Sequence, residues 1–271
     1  DRSQPASGPY LGQAADATTP LSTDPANIQR FVQDLQAYGI TPGTAGLVDN
    51  QNPLTNLFAR LDVALPSIDS RLVVRYNYDR AVDDIFSRSL TTFNLSSNGY
   101  VFRNSTNSPV IQLFSNFNNG TANELTLGYT RVRDRRAPNT FAPQISVTVP
   151  GTQTPTATLV AGSEQFSQGN SLDQDLYELT DNYSFPLGIA HRVTVGTHDE
   201  LYKFVNVFTQ SSYGVWTFDS LAAFESGNAD RYTVSGSLGG PVGSQFKGYS
   251  LSAYAEDNWT VNPRFSLVYG L

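Results

Sequence analysis

The feature that most constrains this chain is a two-residue alternation of apolar and polar side chains, which runs from Leu54 almost to the end. In residues 57–65 the odd positions are apolar, whereas Arg60 and Asp62 occupy the positions between them. Successive side chains of a β-strand point to opposite faces, so this segment should form a strand with one apolar and one polar face. The alternation therefore predicts an all-β, antiparallel fold.

The same period predicts about ten strands between residues 54 and 271. Residues 66–70, 118–120 and 262–263 carry the Pro, Asn and Gly residues of tight turns. The remaining connections, residues 80–100, 134–174 and 219–230, are long and polar, and a Thr/Pro-rich insertion covers 138–161. The predicted strands are residues 57–65, 71–79, 111–117, 124–133, 177–183, 192–202, 213–218, 231–234, 249–256 and 265–271.

Short turns alternating with long loops are typical of outer-membrane barrels, which have brief periplasmic turns and large external loops. No run of eighteen or more apolar residues occurs in the sequence, so a transmembrane helix is excluded. We therefore expect an antiparallel, up-and-down transmembrane β-barrel in the bacterial outer membrane, with lipid as its surroundings.

Alternation also fits a second architecture, in which two sheets bury their apolar faces against each other. The alternative function is then a soluble, secreted β-sandwich binding module or a cell-surface adhesin. Aromatic side chains near strand ends favour the barrel, because rings collect at the membrane interfaces of such proteins. The candidate interface aromatics are Tyr76, Tyr129, Trp259 and Tyr269.

The first fifty-three residues form a loop region by their composition, with one short helix predicted at residues 25–38. Thr23 or Asp24 can cap its start, and Gly39 ends it. Its apolar residues recur at helical spacing: Ile28, Phe31, Val32 and Leu35.

The net charge of −7 opposes binding of nucleic acid, because phosphates need a basic surface. The exception is a local cluster of four arginines, which we interpret as a charged strand end that faces lipid head groups or water. Its members are Arg131, Arg133, Arg135 and Arg136.

Several segments resemble the barrel of Oar-like TonB-dependent receptors. They are residues 56–62, 72–78, 123–133, 213–218 and, most specifically, 254–271, where an acidic-x-Trp strand turns at Asn262-Pro263 into an aromatic-Leu-x-Tyr-Gly strand. The resemblance implies a barrel of about 22 strands with an N-terminal plug. It also implies energised uptake of a bulky or scarce nutrient through a TonB-type inner-membrane complex.

No plug is recognisable in this sequence, so we expect the chain to be part of a barrel wall. The energising complex would then engage parts of the protein outside this chain. On the transport hypothesis, the polar strand positions line the passage for a nutrient whose identity the sequence does not reveal. The candidate lumen-facing residues are Arg60, Asp62, Arg75 and Glu124.

No catalytic, metal or cofactor site is predicted, and the chain is not expected to be an enzyme. His191 and His198 are seven residues apart, so on one strand they face opposite sides and cannot share a metal. Nothing selects a catalytic pair among the carboxylates Asp173, Asp175, Glu178 and Asp181. Residues 171–175 lack the spacing of a calcium loop, and Gly236, Gly239 and Gly240 lack the helix of a phosphate loop.

Overall fold

The computed structural model describes residues 3–14, 17–239 and 242–271. The helices are α1 (Pro25–Ala37) and α2 (Leu221–Glu225). Neither is long and apolar enough to cross a membrane, and no other helix in the described ranges is. The strands are β1 (Ser3–Pro5), β2 (Asp49–Gln51), β3 (Leu54–Leu65), β4 (Ser70–Ile85), β5 (Thr92–Asn94), β6 (Tyr100–Asn116), β7 (Ala122–Pro138), β8 (Gln144–Pro150), β9 (Thr156–Ala161), β10 (Asn170–Leu187), β11 (His191–Phe208), β12 (Val215–Phe218), β13 (Arg231–Thr233), β14 (Ser244–Ser250), β15 (Ala253–Asn262) and β16 (Phe265–Gly270).

Nine strands form one antiparallel sheet, which we call the wall. Its order is β16-β15-β11-β10-β7-β6-β4-β3. The ninth strand, β14, pairs with residues 200–206 of β11, whereas β15 pairs with residues 191–197 of the same strand. Neighbours in the sheet follow one another along the chain, so the topology is the predicted up-and-down one. Within the described residues, β3 and β16 are the two edges of the wall.

The two ends of the wall differ. At the turn end, β3 and β4 are joined by a single 3-10 turn (Pro66–Ile68), and the other hairpins close equally tightly. Asp69 takes a left-handed conformation there, with φ of 47°, which allows this abrupt reversal. At the loop end, the chain leaves the wall after residues 85, 138 and 208, and the described residues outside the wall are 86–99, 139–169, 209–239 and 242–243.

The long connections contain a second sheet, which the sequence did not predict. Its order is β13-β12-β8-β9-β5, with parallel pairing of β12 to β8 and of β5 to β9. The insertion at residues 138–161, expected to be loop, supplies β8 and β9. The predicted strands at 213–218 and 231–234 exist as β12 and β13, but they belong to this sheet and not to the wall.

The predicted N-terminal helix is present as α1, and it packs with this second sheet. Asp24 caps its start, because the Asp24 side chain accepts a hydrogen bond from the Ala26 N–H at 2.8 Å. The loop region around the helix also contains β1 and β2, which pair with each other. We call the five-stranded sheet together with α1 and α2 the cap.

The cap holds the main hydrophobic core of the described residues. One face of α1 meets α2 and the sheet. The Phe224 ring contacts the rings of Phe31 and Phe218, with centroid distances of 5.6 Å and 5.0 Å. The buried residues of this core are Ile28, Phe31, Leu35, Phe93, Leu95, Ile145, Val147, Val149, Ala157, Leu159, Ala161, Phe218, Leu221 and Phe224. Burial of these side chains is what holds four separate chain segments together.

Arg88 is a buried cation between the cap and the N-terminal segment. Its guanidinium donates hydrogen bonds to the carbonyl oxygens of Asn94 at 2.8 Å, Gly46 at 2.9 Å and Thr44 at 3.2 Å. It also lies 4.6 Å from the centre of the Phe93 ring. Burial lowers the pKa of Arg88 to about 10, so the side chain remains protonated at neutral pH.

Replacing Arg88 with lysine should lower the free energy of unfolding of the cap by about 1.5–3 kcal/mol, because an ammonium cannot reach three separate carbonyls as a planar fork does. Pulse proteolysis of the cap in the intact protein measures this change. The matched control is Arg231→Lys, since Arg231 is exposed. Equal stability of the two variants would contradict a structural role for the Arg88 fork.

Candidate functional site

The two faces of the wall differ sharply in chemistry. Cross-strand partners share a face, so the register sets Leu61, Val74, Ile111 and Leu127 on one face. We call this the apolar face. Nothing in the described structure covers it: Leu61 is 61% exposed, Ile111 45% and Leu127 44%. The cap does not pack on this face, so the two sheets do not form a sandwich.

The four predicted lumen residues share the opposite, polar face. Arg60 pairs in register with Arg75, Asp62 lies two positions further along β3, and Glu124 follows on β7. Their common face agrees with the expected two-residue period. That this face lines a lumen stays a prediction.

Charges on the polar face are arranged in contact. The Arg60 Nε lies 2.7 Å from the Asp62 carboxylate, and an Arg71 nitrogen lies 3.7 Å from the same carboxylate. The Arg71 guanidinium also lies 5.0 Å from the centre of the Phe114 ring. Arg71 and Phe114 were not among the predicted site residues, although their register positions were available in the sequence.

The polar face also has a groove of about 280 Å³. It is lined by Phe58, Arg75, Asn77, Ser108 and Val110. A guanidinium, an amide and a hydroxyl thus stand beside an aromatic ring, which is a combination suited to a polar, partly apolar small molecule.

The two histidines lie on opposite faces, as predicted. His198 is on the polar face, with its Nδ1 2.7 Å from the Thr180 hydroxyl and its Nε2 3.6 Å from Glu200. His191 is on the apolar face, with its Nδ1 2.6 Å from Asp257. Across the described ranges, no group of three or more His, Asp or Glu side chains is arranged to hold a metal ion.

The predicted interface aromatics all lie on the apolar face, at two levels. Near the turn end, the Trp259 ring stacks on His191 at 5.5 Å, and the Tyr269 hydroxyl donates to Asp257 at 2.8 Å. Nearer the loop end, Tyr76 and Tyr129 belong to one register row that crosses seven strands. The row contains Ala59, Tyr76, Pro109, Tyr129, Tyr177, Leu201 and Tyr249, and we call it the tyrosine row.

Two candidate motifs of the sequence remain, the carboxylates of β10 and the glycines around residue 239. Asp173 and Asp175 are ion-paired to arginines of β7. Glu178 and Asp181 are three residues apart on β10, so they face opposite sides. Gly240 lies outside the described residues, and the next described element after Gly239 is the strand β14, not a helix.

Comparisons with known proteins give a consistent result. A family model described as "Outer membrane beta barrel domain" matches residues 4–271. Among solved structures, the outer membrane transporter YddB from Escherichia coli is similar, with a TM-score of 0.55 at 12% sequence identity. The match covers 84% of this chain and 28% of the transporter chain. No curated protein matches the sequence.

Proposed function

This chain belongs to the outer membrane β-barrel domain family, and we propose that it forms part of the wall of a TonB-dependent transporter that takes up a bulky or scarce nutrient. Its location is the bacterial outer membrane, and the similarity to an outer membrane transporter supports a transport-related barrel. The chain spans about 28% of the length of that transporter. The substrate, the TonB-type energy source and the completed barrel are therefore parts of the proposal.

The observation that carries the proposal is the contrast between the two faces of the wall. A wide, uncovered apolar face is stable against hydrocarbon and costly against water. The opposite face carries Arg60, Asp62, Arg75 and Glu124, which need water or polar partners. A sheet with this contrast separates lipid from an aqueous interior, as the wall of a transporter does.

The edges of the wall support a larger barrel. Unpaired backbone groups of β3 and β16 would each cost several kcal/mol in lipid. Further strands must therefore pair with both edges in the membrane. This requirement agrees with the small share of the transporter that the chain matches.

The cap supports recognition of a large ligand outside the cell. Long loops of outer-membrane barrels face the exterior, and here they build a folded structure with its own core. A folded cap at the entrance can contact a bulky nutrient before it reaches the polar face of the wall. The soluble β-sandwich alternative conflicts with the outer-membrane location and with the uncovered apolar face.

Uptake by the native cell tests the proposed function. A strain that lacks the gene should grow poorly on one of several limiting nutrients, such as ferric siderophores, cobalamin or long maltooligosaccharides. The full-length gene should restore growth, and a protonophore should abolish the restored uptake. Uptake that persists with the protonophore would indicate a passive pore. Normal uptake of every nutrient with loss of surface attachment would indicate an adhesin.

A further inference from the structure

Three consecutive register rows concentrate positive charge on the apolar face. They follow the tyrosine row in the direction of the loop end. The first row joins Arg131, Lys203 and Lys247, the second joins Arg80 and Arg133, and the third joins Arg103 and Arg135. We call these seven side chains the basic belt. They are drawn from five strands, so the belt exists only in the assembled wall.

The belt contrasts with the rest of the molecule. The chain has 17 Lys and Arg residues and a net charge of −7. The three rows hold seven of those cations but only two carboxylates, Asp173 and Asp175, which gives them an excess of five positive charges.

Most of the belt is free to meet a ligand. Asp175 lies 2.8 Å from Arg133, and Asp173 lies 2.5 Å from Arg135. For the other five cations, no carboxylate of the described residues lies within the 4.0 Å of an ion pair. Those five side chains, Arg80, Arg103, Arg131, Lys203 and Lys247, are all exposed.

The depth of the belt follows from its neighbours. Arg131 is two residues beyond Tyr129 along β7, and Lys203 is two residues beyond Leu201 along β11. Two residues of a strand rise about 7 Å. Aromatic rings of barrels mark the boundary of the hydrocarbon, so the belt lies at the level of the lipid head groups.

A groove on the same face lies directly below Lys203 and Lys247. It has a volume of about 350 Å³ and is lined chiefly by apolar side chains. Asp199 is the acidic member of its outer lining, and its carboxylate accepts a hydrogen bond from the Ser252 N–H at 3.2 Å. The other lining residues on the apolar face are Tyr177, Leu179, Leu201, Tyr249 and Leu251. Glu178 and Glu200 also border the groove, from strand positions that belong to the polar face.

We propose that the basic belt binds the phosphorylated head group of a lipid of the outer leaflet and that the groove below it holds one acyl chain of the same lipid. Exposed Lys and Arg side chains form charge-assisted hydrogen bonds with phosphate oxygens. The groove places apolar contacts where the acyl chains of such a lipid begin. The phosphorylated head group thus meets the basic belt, and the acyl chain attached to it meets the apolar groove.

Binding of bisphosphorylated lipid A to the full-length protein in detergent tests this proposal, with native mass spectrometry as the readout. The variant Arg103→Gln/Arg131→Gln/Lys203→Gln should bind at least about 10-fold more weakly, because each cation near a lipid surface contributes to attraction. The control, Arg192→Gln/Arg231→Gln/Arg264→Gln, removes the same charge elsewhere and should bind like the wild type. Heat-modifiable migration verifies that both variants are folded.

Equal binding by the two triple variants would overturn the proposal. Competition by inorganic phosphate at millimolar concentration would also overturn it, since that result would indicate a site for free anions. Lipid A without phosphates should bind weakly, and tight binding of that probe would reject the role of the belt. If the belt variant does not fold, the wild type in rising NaCl gives the answer, because salt-independent binding would exclude recognition by exposed charge.

Discussion

Replacing Phe31 with alanine should lower the free energy of unfolding of the cap by about 3–5 kcal/mol. Phe31 is fully buried and contacts Phe224 of α2 with ring centroids 5.6 Å apart. Its loss leaves a cavity between α1 and α2, where neither helix can close the gap without leaving the sheet. The cap should therefore become sensitive to protease at temperatures at which the wall remains intact.

Limited proteolysis of whole cells, followed by heat-modifiable migration of the barrel, measures the two parts separately. The control is Phe141→Ala, because Phe141 is 85% exposed and its truncation leaves no cavity. Cleavage should increase within the cap for Phe31→Ala alone. Unchanged protease resistance in both variants would show that the core described for the cap does not hold it together.

Introducing arginine at Leu127 should destabilise the barrel by about 1–2 kcal/mol, because Leu127 lies two residues inside the tyrosine row and the cost of a charge falls from the bilayer midplane toward the interface. Arginine at the adjacent Thr126 should cost less than this. Leu127 is on the apolar face between Ile111 and Leu179, and Thr126 is on the polar face between Gln112 and Thr180. The two substitutions add the same side chain to neighbouring positions of β7. Their difference therefore reports which face meets lipid.

Denaturant unfolding of the full-length protein in phospholipid vesicles gives this comparison. Both variants are scored against the wild type by the midpoint of the transition and by its slope. A larger loss for Thr126→Arg than for Leu127→Arg would mean that the faces are assigned the wrong way round. Similar small losses in both would indicate that neither position contacts hydrocarbon.

The wall could be predicted from sequence where one side meets lipid and the other meets water. Residues 111–117 were predicted as a strand, but β6 (Tyr100–Asn116) begins eleven residues earlier. In that earlier part, residues 103–108 are polar on both faces. Without an apolar face there is no two-residue signal, and the strand is held by pairing with β4 and β7.

The cap could not be predicted from local pattern. Its strands are short, and its order depends on contacts between distant segments, such as the parallel pairing of Val215 with Gln144. Alternation assigns a residue to a strand but does not say which sheet the strand joins. The Phe31 face of α1 was visible as an apolar stripe, yet its partners Leu221 and Phe224 lie almost two hundred residues away.

The candidate site shows the same division. The two-residue alternation alone predicts that four residues share a face, namely Arg60, Asp62, Arg75 and Glu124. The contact of Arg71 with Asp62 depends on the hairpin register. Likewise, the sequence alone shows the cluster of Arg131, Arg133 and Arg135. Only the pairing of β7, β10, β11 and β14 brings Lys203 and Lys247 onto the same face beside it. Arg136, grouped with them by sequence, lies on the other face over the Tyr100 ring.

The composition of the cap also sets an order of assembly. It draws α1 from the start of the chain, β5, β8 and β9 from the next two connections, and β12, α2 and β13 from the last. The Tyr38 hydroxyl reaches the Phe224 carbonyl at 3.0 Å, which joins the first of these segments to the last. During folding, the apolar side of α1 therefore stays uncovered until the last connection reaches it. Completion of the cap thus brings together chain segments from before β3 and after β11.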